Sequence, residues 1–328
     1  MIAGGAGFVG SHLSRSLLAD GHAVVVVDDL STGNRANITD LLGEPDFEFV
    51  HGDVADAPFR PVHVIAHLAS PASPVDYDRI PVHTMRANAL GAFRLIDICG
   101  RSGATFLFVS TSEVYGDPLI HPQPEEYWGN VDPVGPRSCY DESKRFGEAL
   151  VVAARHEGGL RANIVRPFNT YGPSMRRDDG RVIPEMISAA LERRPLTIHG
   201  DGLQTRSFCY VSDLVAGLRH VLLDEEADGQ ILNIGNPREI TMLDLARRII
   251  HVSGGGGDVR FVDARPGDPE RRRPIIKRMQ TRYGWSPRVQ LTDGLRQTVA
   301  AFRGTVAVPN DDRPRVEDAV PADVVGAA

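Results

Sequence analysis

Little in this chain supports disulfide or metal chemistry. Its 328 residues include three cysteines, Cys99, Cys139 and Cys209, with no CxxC pair. An odd, unpatterned set reads as reduced thiols, and the expected compartment is cytoplasmic. Cys139 stands beside Tyr140, but no histidine or asparagine is placed to support it as a nucleophile. The 11 histidines form no HExxH signature, and no metal is expected. No apolar run reaches bilayer-spanning length and the start of the chain has no secretory pattern, so no membrane partner is expected. Basic blocks are equally missing. The net charge is −7, which argues against a nucleic-acid partner and means that an anionic substrate must be held by local arginines. Repeats at solenoid periods are absent. Only Met1, Ile2 and Ala3 precede the first glycine. A strand usually runs about 5–6 residues, so the first is expected to be short or the chain to begin inside it.

What is present is an alternation. Ala23–Val27, Phe47–Val50, Val62–His67 and Phe106–Ser110 read as buried strands, and His12–Asp20 and Thr84–Arg101 have helical spacing. Strands alternating with helices predict parallel βαβ units with right-handed crossovers. The expected fold class is therefore α/β, a doubly wound parallel sheet of the Rossmann type with a smaller, interrupted C-terminal lobe. The expected division is residues 1–168 for the sheet domain, with a returning segment at about 207–236. Residues 169–206 and 237–303 form the smaller lobe, and 304–328, rich in Ala, Val, Asp and Pro, a disordered tail.

Gly4 to Gly10 (GGAGFVG) satisfies G-x-G-x-x-G through Gly5, Gly7 and Gly10, and G-x-x-G-x-x-G through Gly4, Gly7 and Gly10. Such glycines allow a tight turn and close backbone approach to a pyrophosphate at a helix N-terminus, here expected from His12 onward. Asp28 follows Gly10 by 18 residues at a strand end, near the spacing of a carboxylate that binds the adenine ribose. It would bond the 2′-hydroxyl and repel a 2′-phosphate, favouring NAD, although Arg35 nearby leaves NADP open. Asp53, at the end of the third strand, is expected to meet the adenine, and Leu68, Ala69 and Ser70 to line the cofactor's centre.

Tyr140 and Lys144 lie four apart on a predicted helix and project from one face. An ammonium beside a phenol favours the phenolate, so Tyr140 is expected to accept a proton near neutrality. Thr111, in Ser110–Gly116 (STSEVYG), is placed to bond the same substrate hydroxyl. Glu113 adds a carboxylate, expected to position water or relay a proton and to disfavour a substrate carboxylate by like charge.

These motifs together resemble the extended short-chain dehydrogenase/reductase family of nucleotide-sugar enzymes, over Met1 to about Phe302. Within it, four segments in order resemble UDP-glucuronate decarboxylases (UDP-xylose synthases): His67–Tyr77, Tyr127–Arg145, Asp178–Val182 and Gln204–Asp213. Plain epimerases of the family carry a small residue where Glu113 stands. The resemblance implies NAD as cofactor, a UDP-sugar substrate and a homodimer formed through Thr84–Arg101 and Ser143–Glu157. It adds Phe8, Val9, Asp29, Thr32, Gly33 and Val54 to the cofactor's surroundings. It implies that Arg206 serves the diphosphate and Arg181 with Asn169 the nucleotide end, and it places Val182 and Gln204 among the substrate-binding residues. His199 stands where relatives often carry an aromatic near the uracil. Arg272, in Glu270–Pro274 (ERRRP), matches a catalytic arginine near the sugar carboxylate, although Arg271 and Arg273 compete for that register.

The expected activity is decarboxylation of UDP-glucuronate to UDP-xylose through a 4-keto sugar. A close variant releases the UDP-4-keto-pentose with NADH. A 4-epimerase is disfavoured by Glu113, and a 4,6-dehydratase by Ser112, which stands where that pattern has an acid. A catalytically silent nucleotide-binding regulator would be expected to lose Tyr140 or Lys144.

Overall fold

The computed structural model describes residues 1–255, 257–264 and 271–304. Glu270 of the arginine-rich run and the expected tail from 305 onward lie outside the described residues. In chain order the first part contains β1 (Ile2–Ala3), α1 (Phe8–Ala19), β2 (Val24–Asp28), β3 (Phe47–His51) and β4 (Val64–His67). It continues with α2 (Pro74–Arg79), α3 (Pro81–Ser102), β5 (Thr105–Val109), α4 (Ser138–Gly158) and β6 (Ala162–Pro167). Then come β7 (Thr170–Tyr171), α5 (Val182–Leu191), β8 (Leu196–His199), β9 (Thr205–Ser207), β10 (Cys209–Tyr210), α6 (Val211–Leu222) and β11 (Asp228–Ile234). The last elements are β12 (Glu239–Thr241), α7 (Met242–Val252), β13 (Val259–Val262), β14 (Arg271–Arg272), α8 (Lys277–Tyr283) and α9 (Leu291–Gly304).

Seven strands form one parallel sheet in the order β11-β6-β5-β4-β1-β2-β3. The order reverses between β1 and β4, so a crevice opens there beyond the carboxyl ends of the strands. The strand residues suit this place. All five residues of β5 (TFLFV) are buried, as expected of a central parallel strand covered on both faces. β2 (VVVVD) supplies β-branched side chains that pack on a pleated surface. Leu13 and Leu17 of α1 pack on one face with α6, while Leu95 and Ile98 of α3 lie with Phe106 and Phe108 on the other. Each such fully buried side chain contributes about 1.5–3 kcal/mol. α3 starts at Pro81 and both α3 and α4 end on left-handed glycines, Gly103 and Gly159.

One boundary follows the sequence pattern and one differs from it. β1 has only two residues, yet the ladder continues past both ends: Ala66 N donates to Met1 O, Leu68 N to Ala3 O and Gly4 N to Val27 O, at 2.8–2.9 Å. α1 begins at Phe8, not at His12, so Gly10 lies inside its first turn. Apolar periodicity becomes countable only past the glycines, which hides that turn from the sequence.

Outside the seven-stranded sheet, β9 pairs antiparallel with β12 and parallel with β14, and β8 pairs parallel with β13. Among the described residues no helix is long and apolar enough to cross a membrane. α4 lies close on the sheet because residue 147 is glycine: a Cβ there would sit 2.2 Å from Phe108 Cζ. Gly147→Ala should therefore lower stability by about 1–3 kcal/mol, read as an earlier midpoint in urea unfolding. An unchanged midpoint would mean that α4 has room to lift.

Candidate active site

At the switch point the glycine turn forms a cradle that side chains would fill. A Cβ at Gly4, where φ is +82, would meet Ala69 N at 2.6 Å, and one at Gly10 would meet Gly4 O at 2.1 Å. Gly7 caps α1 without a side-chain bond, leaving the first helical N–H groups to face the crevice. A cavity of about 220 Å³ follows this turn, lined by Gly4, Gly7, Phe8, Val9, Gly10, Thr32, Leu68 and Ser70 among others. A recess beside it is lined by Asp28, Asp29, Thr32, Gly33, Val54 and Ala69. These residues fit the pyrophosphate and ribose of a dinucleotide.

Asp28 is buried and its carboxylate accepts from Ala6 N and Leu30 N, both at 2.9 Å. Burial raises its pKa to about 6 against those backbone bonds. It therefore shapes the turn as well as facing the recess. His83 of α3 lines the same recess and pairs with Asp29 at 2.9 Å, a contact that sequence spacing did not indicate. Asp53 departs from expectation. Its carboxylate is taken by Ala55 N (2.8 Å) and Arg86 Nε (2.9 Å), and it does not line the recess, whereas its neighbour Val54 does. Arg35 sits over the Phe49 ring, 5.6 Å from its centroid.

Tyr140 and Lys144 are both buried on the first turns of α4 and line the glycine-turn cavity with Thr111. Tyr77 stacks on Tyr140, with ring centroids 5.4 Å apart and planes 11° off parallel. Burial pushes the Tyr140 phenol up to about 12, although Thr111 and Arg181 oppose the shift. Lys144 Nζ donates to Val109 O at 2.9 Å, and burial lowers its own pKa to about 7.

Glu113 follows Thr111 in a 3-10 turn, Ser112–Tyr115, capped by Thr111 Oγ1, which accepts from Glu113 N at 3.2 Å. Arg137 Nη2 donates to Glu113 Oε2 at 2.5 Å and Arg272 Nη2 to the same oxygen at 3.0 Å; Arg272 Nη1 bonds Oε1. Burial alone would raise the pKa of Glu113, but the two guanidiniums outweigh it and hold the carboxyl below its usual range. Two cations on one anion leave local positive charge, so the expected like-charge pressure on a substrate carboxylate does not arise here. The arginine register is also explicit: Arg272 is buried against Glu113, Arg271 is exposed and Arg273 reaches Glu239 at 3.5 Å. Arg137 was not singled out from sequence, although it precedes Tyr140 by three residues and so shares its end of α4.

Beyond Tyr140 a second cavity, of about 590 Å³, is lined by Glu113, Asn169, Arg181, Val182, His199, Gln204, Arg206 and Arg272. Tyr140, Glu113, Asn169 and Arg181 line both this cavity and the one at the glycine turn. Arg181 bonds Asp179 with two nitrogens, Nη2 at 2.8 Å from Oδ2. His199 is held by its Nδ1, 3.1 Å from Asp263 O. Gln204 Nε2 donates to His199 O at 2.6 Å.

Residues 1–235 match the family described as the NAD dependent epimerase/dehydratase family. UDP-glucuronic acid decarboxylase 1 of Xenopus tropicalis is 45% identical over 303 residues, 92% of this chain and 72% of that protein. UDP-glucuronic acid decarboxylase 3 of Arabidopsis thaliana is 45% identical over 312 residues, covering 95% and 91%. Among solved structures, UDP-glucuronic acid 4-epimerase of Bacillus cereus, in complex with UDP-glucuronic acid and NAD, superposes with a TM-score of 0.83 at 28% identity, covering 92% and 98%.

The buried ammonium of Lys144 makes a pH prediction. Folded, it releases its proton near pH 7; unfolded, near about 10.4. Between those values the unfolded chain binds the extra proton, so stability should rise with pH across that window. Urea unfolding of the NAD-free protein at intervals across it should show this slope in wild type and a flatter one in Lys144→Met; equal slopes would contradict the assignment.

Proposed function

The chain belongs to the NAD-dependent epimerase/dehydratase family, among the UDP-glucuronic acid decarboxylases of the extended short-chain dehydrogenase/reductases, and on that premise we propose that it converts UDP-glucuronate to UDP-xylose and CO₂. The observation that carries this reading is the junction of two cavities at Tyr140 and Glu113, one fitted to a dinucleotide and the other lined with arginines.

The glycine turn, Asp28 and Lys144 would hold NAD, which when bound would supply reversible hydride acceptance at the sugar's C4. Thr111 and Tyr140 hold the sugar 4-hydroxyl, and Tyr140 removes its proton, helped by the charge of Arg181. The resulting 4-ketone lies β to the C5 carboxylate. Its C–C bond breaks because the electrons left behind delocalise into an enolate as CO₂ departs. Arg137 and Arg272 supply the bidentate donors that a uronate carboxylate needs. Glu113, kept ionised by those arginines, is an acceptor suited to orient the water that protonates C5. Arg206 and Arg181 serve the diphosphate and nucleotide end.

The same reading makes the enzyme a cytoplasmic homodimer. Three unpaired cysteines support the compartment. The dimer is supported by an apolar outer face on the packed pair α3 and α4. Val82, Met85 and Phe93 on α3 and Phe146 on α4 are exposed there, with the two phenylalanine rings 6.0 Å apart.

UDP-glucuronate incubated with substoichiometric NAD⁺ should yield UDP-xylose by mass analysis without accumulation of NADH. Unaltered UDP-glucuronate would refute decarboxylation, and NADH stoichiometric with a keto-pentose would refute the return of hydride. Tyr140→Phe should lose about 10²–10⁴-fold in turnover while still binding NAD; wild-type turnover would remove Tyr140 from its role. Phe93→Glu should convert dimer to monomer in sedimentation velocity, and an unchanged dimer would place the interface elsewhere.

A further inference from the structure

A short segment after β7 contributes Ser174 and Arg176 to the lining of the cofactor cavity. After β7 the chain turns at Gly172 and runs through Ser174, in the left-handed region at φ 68, to Arg176. It is fastened on both sides. On one, the His12 ring of α1 has Nε2 3.0 Å from Pro173 O. That carbonyl can only accept, so Nε2 carries the proton and donates. On the other side Arg176 Nη2 donates to Asp76 Oδ1 and Oδ2 at 2.9 and 2.8 Å, and Nη1 to Thr32 O at 3.2 Å. Asp76, on α2, is 3% exposed, and Ser73 Oγ donates to it at 3.1 Å. Thr32, Ser174, Arg176 and Asp76 line the same cavity as Gly7 and Gly10.

We propose that Gly172–Arg176 is a retaining bar over the dinucleotide and that Arg176 is its latch, keeping NAD in the chain between turnovers. This rests on the reading above: a cycle that returns its hydride has no need to exchange the cofactor. A dinucleotide leaving past the glycine turn has to lift the bar, which opens a buried, charge-assisted pair. Met175 of the same segment lines the arginine-rich cavity, but Thr32, Asp76 and Arg176 do not, so the latch itself stands clear of the sugar side.

The test is made on the binary complex, without sugar. Protein loaded with NAD⁺ is desalted, and the NAD retained per chain is followed by chromatography. Arg176→Ala should release NAD about ten- to a hundredfold faster than wild type, Asp76→Asn should do so to a lesser degree, and Arg176→Lys should recover part of the retention. A merely structural pair would lower the melting temperature of NAD-free and NAD-loaded protein alike. The latch predicts that the increment added by NAD shrinks in Arg176→Ala. Equal release from wild type and all three variants overturns the latch and leaves decarboxylation untouched. A wild-type protein that takes up no NAD⁺ overturns both.

Discussion

The whole site depends on one buried ionic contact, Glu113 between Arg137 and Arg272. It ties the end of β5, the start of α4 and the two-residue strand β14, which are far apart in sequence. Removing one member of a buried set leaves uncompensated charge, typically costing about 3–5 kcal/mol. The set is braced from below by a second polar network. Arg166 binds Glu148 at 2.8 and 2.6 Å and donates to Tyr115 Oη at 2.9 Å, and that hydroxyl donates to Asn233 at 2.8 Å. Gln123, fully buried, accepts from Arg273 N at 2.8 Å, and its backbone exchanges bonds with Arg273 and Ile275. The strand that carries Arg272 is thus fixed by bonds to the same loop that follows Glu113.

The electrostatics of the resting site run against a simple tyrosine–lysine picture. Low dielectric penalises whichever form is charged, so the phenol rises and the ammonium falls together. The arginines of the site each have a carboxylate or carbonyl oxygen within bonding distance. Charge at the site is consequently concentrated on the guanidinium side, where an anionic sugar is expected, and is weak at the phenol until a substrate arrives.

What could be read in advance was what depends on local spacing. The glycine turn, Asp28, and Tyr140 with Lys144 are each defined by a few positions within a strand or a helical turn, so geometry follows from sequence. The doubly wound parallel sheet followed from buried runs such as Ala23–Val27 and Phe106–Ser110. The misses involve long-range choices. Asp53 turned to Arg86 because α3 brings that guanidinium alongside, which no spacing around residue 53 encodes. Arg137 and His83 became site residues through partners 24 and 54 positions away. Even the start of α1 was obscured, since Phe8 and Val9 of its first turn fall inside the glycine motif.

α4 has two working faces. Inward it carries the phenol and the amine; outward it presents Phe146 beside Phe93. Because Gly147 seats the helix on Phe108 without slack, both faces belong to one rigid body. Whatever neighbour covers the outer aromatic pair would therefore bear on the angle at which the catalytic ring is held, so crowding and quaternary state reach the chemistry by a purely mechanical route.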